Sequence, residues 1–430
     1  MKFVLILITS IFITMTMNKS KVTIIGGGLS GLIAALVLEE NGYTPLILEA
    51  TDRPGGRLKT DIINGFQLDH GFQVLLSSYP AAQKYLDYDK LDLQYFKSGS
   101  HIFINGKQKT IGDPLRDLSV LFPSLFSGIG TLSDKLKVLK LNRALKSKSL
   151  IEIFEEDETS TYTYLKSLGF SNCIIENFFR PFFSGIYLET ELSTSSRMFE
   201  FVFKMFGEGF AVLPKGGIEE IPKQIISKLN RTDIRCNTKV GAVSDSHITL
   251  ENGDQIESDY IIIATEAKSM MQNLSEPNLD WKSCQTLYFS TAKRKFKQAY
   301  IGLVTKKNML ANNLFYHTSL DMAKKGDGEL LSVTVVNETE LSEEVLVEKI
   351  KKELKEECGI DDLTFIKNYK IQRALPKLDN LKYKAAPLQS KLTDKIFLAG
   401  DVQLNSSSNG AIISGETAAL GVIEAINRLV

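Results

Sequence analysis

A β-branched run, Lys21 to Ile25 (KVTII), passes directly into Gly26-Gly27-Gly28-Leu29-Ser30-Gly31, and no other stretch limits the fold so tightly. Valine, threonine and isoleucine suit a parallel strand buried on both faces. Leu32 to Glu40 then reads as a buried-to-amphipathic helix closed by Asn41-Gly42, and Thr44 to Leu48 (TPLIL) as a second strand ending at Glu49. Gly26 permits the tight turn, Gly28 lets a pyrophosphate approach bare backbone, and Gly31 lets helix and strand pack closely. The helix start offers free N–H groups and the positive end of its dipole to phosphates. Glu49, an acid at the tip of the second strand, suits the hydroxyls of an adenosine ribose and repels a 2′-phosphate, which disfavours NADP. The spacing predicts an α/β fold that begins with a dinucleotide-binding unit.

Composition fits one large domain or two ordinary ones: 430 residues, 43% apolar and 24% charged. Basic and acidic residues balance at 51 each, so no global charge draws the chain to nucleic acid. Cys173, Cys236, Cys284 and Cys358 are widely spaced, form no Cys-x-x-Cys and are joined by only four histidines. Neither a disulfide scaffold nor a metal site is expected, and the compartment is expected to be reducing and cytoplasmic. Phe3 to Met17 is an uncharged, mostly apolar run, shorter than the roughly 20 residues that span a bilayer. No small-x-small cleavage site follows it. Residues 1–20 read as an extension: either translation starts at Met17 or the run is an uncleaved membrane anchor, and localisation turns on the choice.

Two further segments extend the nucleotide motif. After Glu49 come Ala50-Thr-Asp-Arg53-Pro-Gly55-Gly56-Arg57, a second glycine pair followed by arginine. Near the other end, Lys395 to Asp401 (KIFLAGD) reads as a strand ending in Gly400-Asp401, followed by a serine-rich loop and Asn409-Gly410-Ala411 at a helix start. Between them lie a strand at Asn237 to Val243, a hairpin through Asn252-Gly253 and a buried strand at Tyr260 to Thr265. In this order the segments resemble the flavin amine oxidase, protoporphyrinogen oxidase and phytoene desaturase superfamily of FAD enzymes. The resemblance implies a discontinuous Rossmann-like FAD-binding domain (21–90, 211–275 and 386–430) with a second, α+β substrate domain (91–210 and 276–385). It implies cofactor contacts at Gly26, Gly28, Ser30, Gly31, Glu49, Ala50, Gly55, Gly56, Arg57, Val240, Gly400, Asp401, Gly410 and Ala411. By the same resemblance Arg57 is an anion partner, Val240 touches adenine, and the amides near Gly410 and Ala411 face the flavin N1–C2=O edge. Family members with a covalent flavin carry cysteine in the C-terminal loop, where this chain has Ser406, Ser407 and Ser408. Non-covalent FAD is implied.

The substrate side is less defined. Gly65 to Leu76 resembles the family stretch that crosses near the flavin ring, and within it His70 is either a proton carrier or a hydrogen-bonded structural residue. Residues 91 to 210 read as mostly helical. Nine of the 24 phenylalanines fall between Phe178 and Phe210, where even spacing would put about two. That cluster is either core or an apolar cavity over the flavin; Arg180-Pro-x-x-Ser-Gly-Ile-Tyr187 is similar to a protoporphyrinogen oxidase stretch. Arg180 is a partner for a substrate carboxylate or for a neighbouring acid. Leu118 to Ile129 and the basic, leucine-rich Lys135 to Leu150 form either a membrane-dipping surface or core helices with a solvated lysine face. Glu340 to Glu357 reads as a charged surface helix. Superfamily oxidases often hold a lysine near flavin N5; Lys293, Lys295 and Lys297 fall in a suitable region, and none is singled out. No catalytic residue is assigned. The implied activity is hydride transfer from a hydrophobic or amine-type small molecule to FAD, with oxygen or a quinone as final acceptor. A lipid escort without flavin and an NAD-dependent dehydrogenase are the rivals. The intact Gly28, Glu49, Arg57 and Asp401 set argues against the first, and the second leaves Gly55-Gly56-Arg57 and Gly400-Asp401 unexplained.

Overall fold

The structure is a computed structural model that describes residues 20–113, 116–271, 279–336 and 339–428; the apolar run at Phe3 to Met17 lies outside the described residues. Its organising element is a five-stranded parallel sheet of β1 (Val22–Ile25), β2 (Leu46–Leu48), β3 (Asp233–Arg235), β4 (Tyr260–Ile263) and β5 (Ile396–Leu398), in the order β3-β2-β1-β4-β5. β1, β4 and β5 are buried along their whole length, as β-branched, alternation-free sequences should be. Strands that neighbour one another in space are therefore drawn from segments far apart in the chain.

Helix α1 (Leu29–Glu40) is buried from Leu29 to Glu39, because the sheet covers one side and the long helix α5 covers another. Gly31 makes this possible. A Cβ there would sit 2.0 Å from the Gly26 carbonyl oxygen, so any side chain would drive helix and strand apart. Four further helices are used below: α2 (Leu132–Ser147), α3 (Arg180–Tyr187), α4 (Ser196–Glu208) and α5 (Ser408–Asn427).

A seven-stranded sheet forms the second layer, built largely from residues 281–376 and completed by Gly99–Ile104 and Lys107–Gly112 at one edge. Residues 91–210 are mostly helical as expected, and these two strands are a hairpin at the start of that stretch that the helical reading did not include. Their turn is Asn105-Gly106, both at positive φ (49° and 72°), which is the backbone a two-residue hairpin of the twisted hand requires. The expected surface helix is present as Glu343–Glu353, extended by a π-helical turn, and it buries Leu346, Val347 and Ile350 beneath its charged face.

The phenylalanine cluster divides by face. Phe179, Phe199 and Phe201 are fully buried core residues, whereas Phe178, Phe182, Phe203 and Phe206 are only partly buried against that core. A helix with apolar residues on more than one face is doing this: α3 and α4 pack inward with one stripe and line open space with another.

Candidate cofactor and substrate site

The two glycine turns meet face to face. Gly26 takes φ 102° and donates its N–H to the Leu48 carbonyl at 2.9 Å, which turns the chain from β1 into α1. Gly55 N–H donates to the Gly27 carbonyl at 2.8 Å, and Gly28 and Gly55 form a parallel bridge. A Cβ on Gly56 would lie 3.0 Å from the Gly28 Cα, so backbone faces backbone with no side chain between. Gly28 is the N-cap of α1; no side chain caps the helix, and its first turn holds no acid. Ser30 lies buried in that first turn. An uncapped helix start beside bare backbone fits a pyrophosphate on geometric and electrostatic grounds.

Glu49 is buried at the tip of β2. Its Oε2 accepts from the Gly27 N–H (2.8 Å), and its Oε1 accepts from the Thr51 N–H (2.8 Å) and hydroxyl (2.7 Å). These bonds fix the carboxylate and use three of its roughly four lone-pair sites, leaving one on Oε2 to accept from a ribose hydroxyl. Ala50 follows it, exposed. Val240 opens a three-stranded antiparallel unit and shares a buried cluster with Ile25 and Leu48 at the ends of β1 and β2.

Arg57 and Asp401 come from opposite ends of the chain and pair here. Arg57 Nη2 donates to Asp401 Oδ1 at 2.6 Å and Nη1 to the Ala374 carbonyl at 2.8 Å, while the guanidinium lies over the Trp281 ring. Gly400 adopts φ 131° and donates its N–H to Ser414 Oγ in α5. The expectation for Gly410 and Ala411 shifts by two residues. Ser407 is the N-cap of α5: its Oγ accepts the Gly410 N–H (2.9 Å) and its carbonyl the Ala411 N–H (2.8 Å). The amides at the open end of the helix are therefore those of Ser408 and Asn409. Ser407, three residues before Gly410, was the readable signal for this cap.

A cavity of about 440 Å³ opens against the same loop. Ser406, Ser407 and Ser408 line one side, Phe72, Gln73 and Val74 another, and its far wall is aromatic and aliphatic, with Tyr79, Phe182, Ile186 and Tyr187. Gln73 Nε2 donates to the Arg57 carbonyl at 2.8 Å, which ties the cavity wall to the second glycine turn. One lysine that sequence reasoning missed stands in the wall. Lys282, near the start of the strand Trp281–Thr291, donates to Thr194 Oγ1 at 2.9 Å. Burial pushes its ammonium below the ordinary lysine value of 10.5; Glu189 opposes that and Lys377 adds to it. Lys293, Lys295 and Lys297 lie exposed and do not line the cavity.

Both remaining candidates are bound to neighbouring acids, and neither lines the cavity. His70 Nε2 is 2.8 Å from Asp61 Oδ2, and its ring stacks on Tyr369 at 4.4 Å, away from the cavity. Arg180 grips Glu176 through Nε (3.0 Å) and Nη2 (2.9 Å) and caps the Thr190 carbonyl. Among the described residues no cluster of histidine, cysteine and acids is arranged to hold a metal ion.

Residues 29–423 match the family described as flavin-containing amine oxidoreductase, and the chain belongs to that family of FAD-dependent oxidoreductases. An L-amino-acid oxidase of Bothrops moojeni is 26% identical over 295 residues, 63% of this chain and 57% of its own length. The match thus spans little more than half of that relative. Among solved structures, a putative protoporphyrinogen oxidase from Exiguobacterium sp. 255-15 superimposes with a TM-score of 0.71 at 17% identity, covering 96% of this chain and 100% of its own. Cyclohexylamine oxidase from Brevibacterium oxydans gives 0.69 at 15% identity, with 95% and 100% covered. At these identities the likeness concerns the fold.

Proposed function

We propose that the chain holds FAD non-covalently across the two glycine turns and oxidises an apolar or amphiphilic small molecule in the adjoining cavity. Bound FAD supplies a two-electron acceptor for hydride, later relieved by oxygen or a quinone. The chain's part is to bind, orient and exclude water. Gly28, Gly56 and the start of α1 would take the pyrophosphate, Glu49 the adenosine ribose, and Val240 the adenine edge. Arg57 and Asp401 form a charge pair that closes the middle of the cleft. The open amides of Ser408 and Asn409, at the positive end of α5, stabilise negative charge that develops beside them.

The observation that carries this reading is the junction of cleft and cavity: Ser406 to Ser408 line the cavity in the loop that follows Asp401, the acid paired with Arg57, and Gln73 of the cavity wall bonds the Arg57 carbonyl. Its wall exposes more apolar than polar surface, through residues such as Phe72, Phe182, Ile186, Met198 and Val202, which favours apolar or amphiphilic groups over small polar amines. A reducing, cytoplasmic setting remains part of the proposal and is supported by four free cysteines.

The test is the visible spectrum of the purified chain before and after heating. A flavin spectrum whose colour moves to the supernatant is expected, followed by anaerobic bleaching with an apolar substrate from a panel of porphyrinogens, polyenes and amines. Colourless, folded protein that cannot be reconstituted with FAD would overturn the proposal in favour of a flavin-free lipid carrier.

A further inference from the structure

A second cavity of about 480 Å³ lies behind the first. Phe182, Phe206, Ala211 and Ile301 line both, so they form the partition, with the rings of Phe182 and Phe206 5.4 Å apart. The outer wall of this second cavity is made by Leu125, Leu132, Leu136 and Leu139. Leu132, Leu136 and Leu139 are spaced four and three apart and share one face of α2. These leucines also face solvent: Leu132 is 65% and Leu136 61% exposed, beside Phe126 at 81%. A side chain that lines a cavity and meets solvent at once is the rim of an opening. An apolar rim on this scale marks an interaction surface.

Charge identifies the occupant. α2 carries Lys135, Lys137, Lys140, Arg143 and Lys146, and its acid, Asp134, is buried in a capping box with Thr131 and bonded to Ser171. Lys135 and Lys137 donate to the carbonyls of Leu125 and Gly169, and none of the five cations pairs with a carboxylate among the described residues. The whole chain balances at 51 charges of each sign, so this basic face is a local excess. A second copy seated on it by two-fold symmetry would bring the cations against themselves. Among the described residues no helix is long and apolar enough to cross a membrane.

We propose that this face docks on an anionic lipid bilayer. Phe126, Leu132 and Leu136 enter the headgroup boundary while the lysines of α2 meet the phosphates, and the second cavity opens to the lipid as the entrance for substrate. The proposal rests on the apolar-substrate reading above and gives that substrate its source.

The test is cosedimentation of the full chain, and of the chain beginning at Met17, with vesicles of phosphatidylcholine alone or mixed with phosphatidylserine, the flavin spectrum being recorded for every sample. Both chains are expected to bind the anionic vesicles at least tenfold more tightly than the neutral ones. Lys140→Gln with Arg143→Gln is expected to weaken that binding by roughly 25-fold, from about fivefold per basic residue removed. Phe126→Asp with Leu132→Asp should abolish it. Equal binding to both vesicles, or binding lost when residues 1–16 are removed, overturns the proposal. So does a dimer in light scattering that ignores vesicles and separates in the aspartate variant. Yellow protein that fails to bind vesicles refutes the docking surface and leaves the oxidoreductase reading intact, whereas colourless protein that binds them does the reverse.

Discussion

Asp69 offers a quantitative test of the packing behind the second glycine turn. It ends the strand Phe66–Asp69, is buried, and accepts at Oδ1 from the Thr60 hydroxyl (2.6 Å) and the Ile218 N–H (3.1 Å). Burial raises its carboxyl from the ordinary 3.8 to about 6, with Glu219 adding to the rise and the two hydrogen bonds opposing it. Between those values the folded chain keeps a proton that the unfolded chain has released. Stability contributed by this group is therefore full below about pH 4 and falls as pH rises through about 6. At 1.36 kcal/mol per pH unit the loss approaches about 3 kcal/mol by neutrality. Asp69→Asn keeps an acceptor for Thr60 and Ile218 but cannot ionise. The variant should match the parent near pH 4 and exceed it by up to about 3 kcal/mol near pH 7. Urea unfolding followed by circular dichroism, at saturating FAD and several pH values, measures the difference. Parallel stability curves for the two proteins would refute the reasoning.

Three other outcomes are expected. Glu49→Arg should give folded protein without FAD, read as a lost visible spectrum with unchanged circular dichroism; full flavin content would remove Glu49 from the ribose site. Lys282→Met should slow flavin reduction by about tenfold or more and flatten the rise with pH that the parent shows below 10.5, checked by stopped-flow absorbance. Phe206→Ala should join the two cavities, costing about 2 kcal/mol because the ring is only partly buried. It should raise kcat/KM for longer apolar substrates relative to shorter ones, and an unchanged ratio would mean that the ring is no partition.

The nucleotide half was legible because its constraints are local. Gly26, Gly28 and Gly31 lie within one turn, and their reasons, a positive φ, a bare approach and a 2.0 Å clash, act within that turn. The pairing of Arg57 with Asp401 was legible only as two motifs, since nothing local reports that residues 344 positions apart meet. The strands at Gly99–Ile104 and Lys107–Gly112 were missed although Asn105-Gly106 announced them, because the helical pattern that follows dominated the reading. Lys282 could not be chosen from sequence. Which lysine enters a cavity depends on strand register, and the run Lys293, Lys295, Lys297 drew attention by proximity alone. The phenylalanine cluster looked like a choice between core and cavity; α3 and α4, apolar on two faces, serve both.

The sheet order has a consequence for synthesis. Within the parallel sheet β5 pairs with β4, and α5 covers α1, which was made hundreds of residues earlier. Until the residues after Lys395 leave the ribosome, the nascent chain exposes an apolar flank of α1 and lacks Asp401, Ser408 and the rest of the closing helix. Such long-range closure is slow and leaves the unfinished chain prone to aggregation. The cofactor can be trapped only as the last step of assembly, when it stabilises the finished fold by mass action. Flavin supply after these residues have emerged, rather than during their synthesis, would then influence how much of the chain reaches its native state.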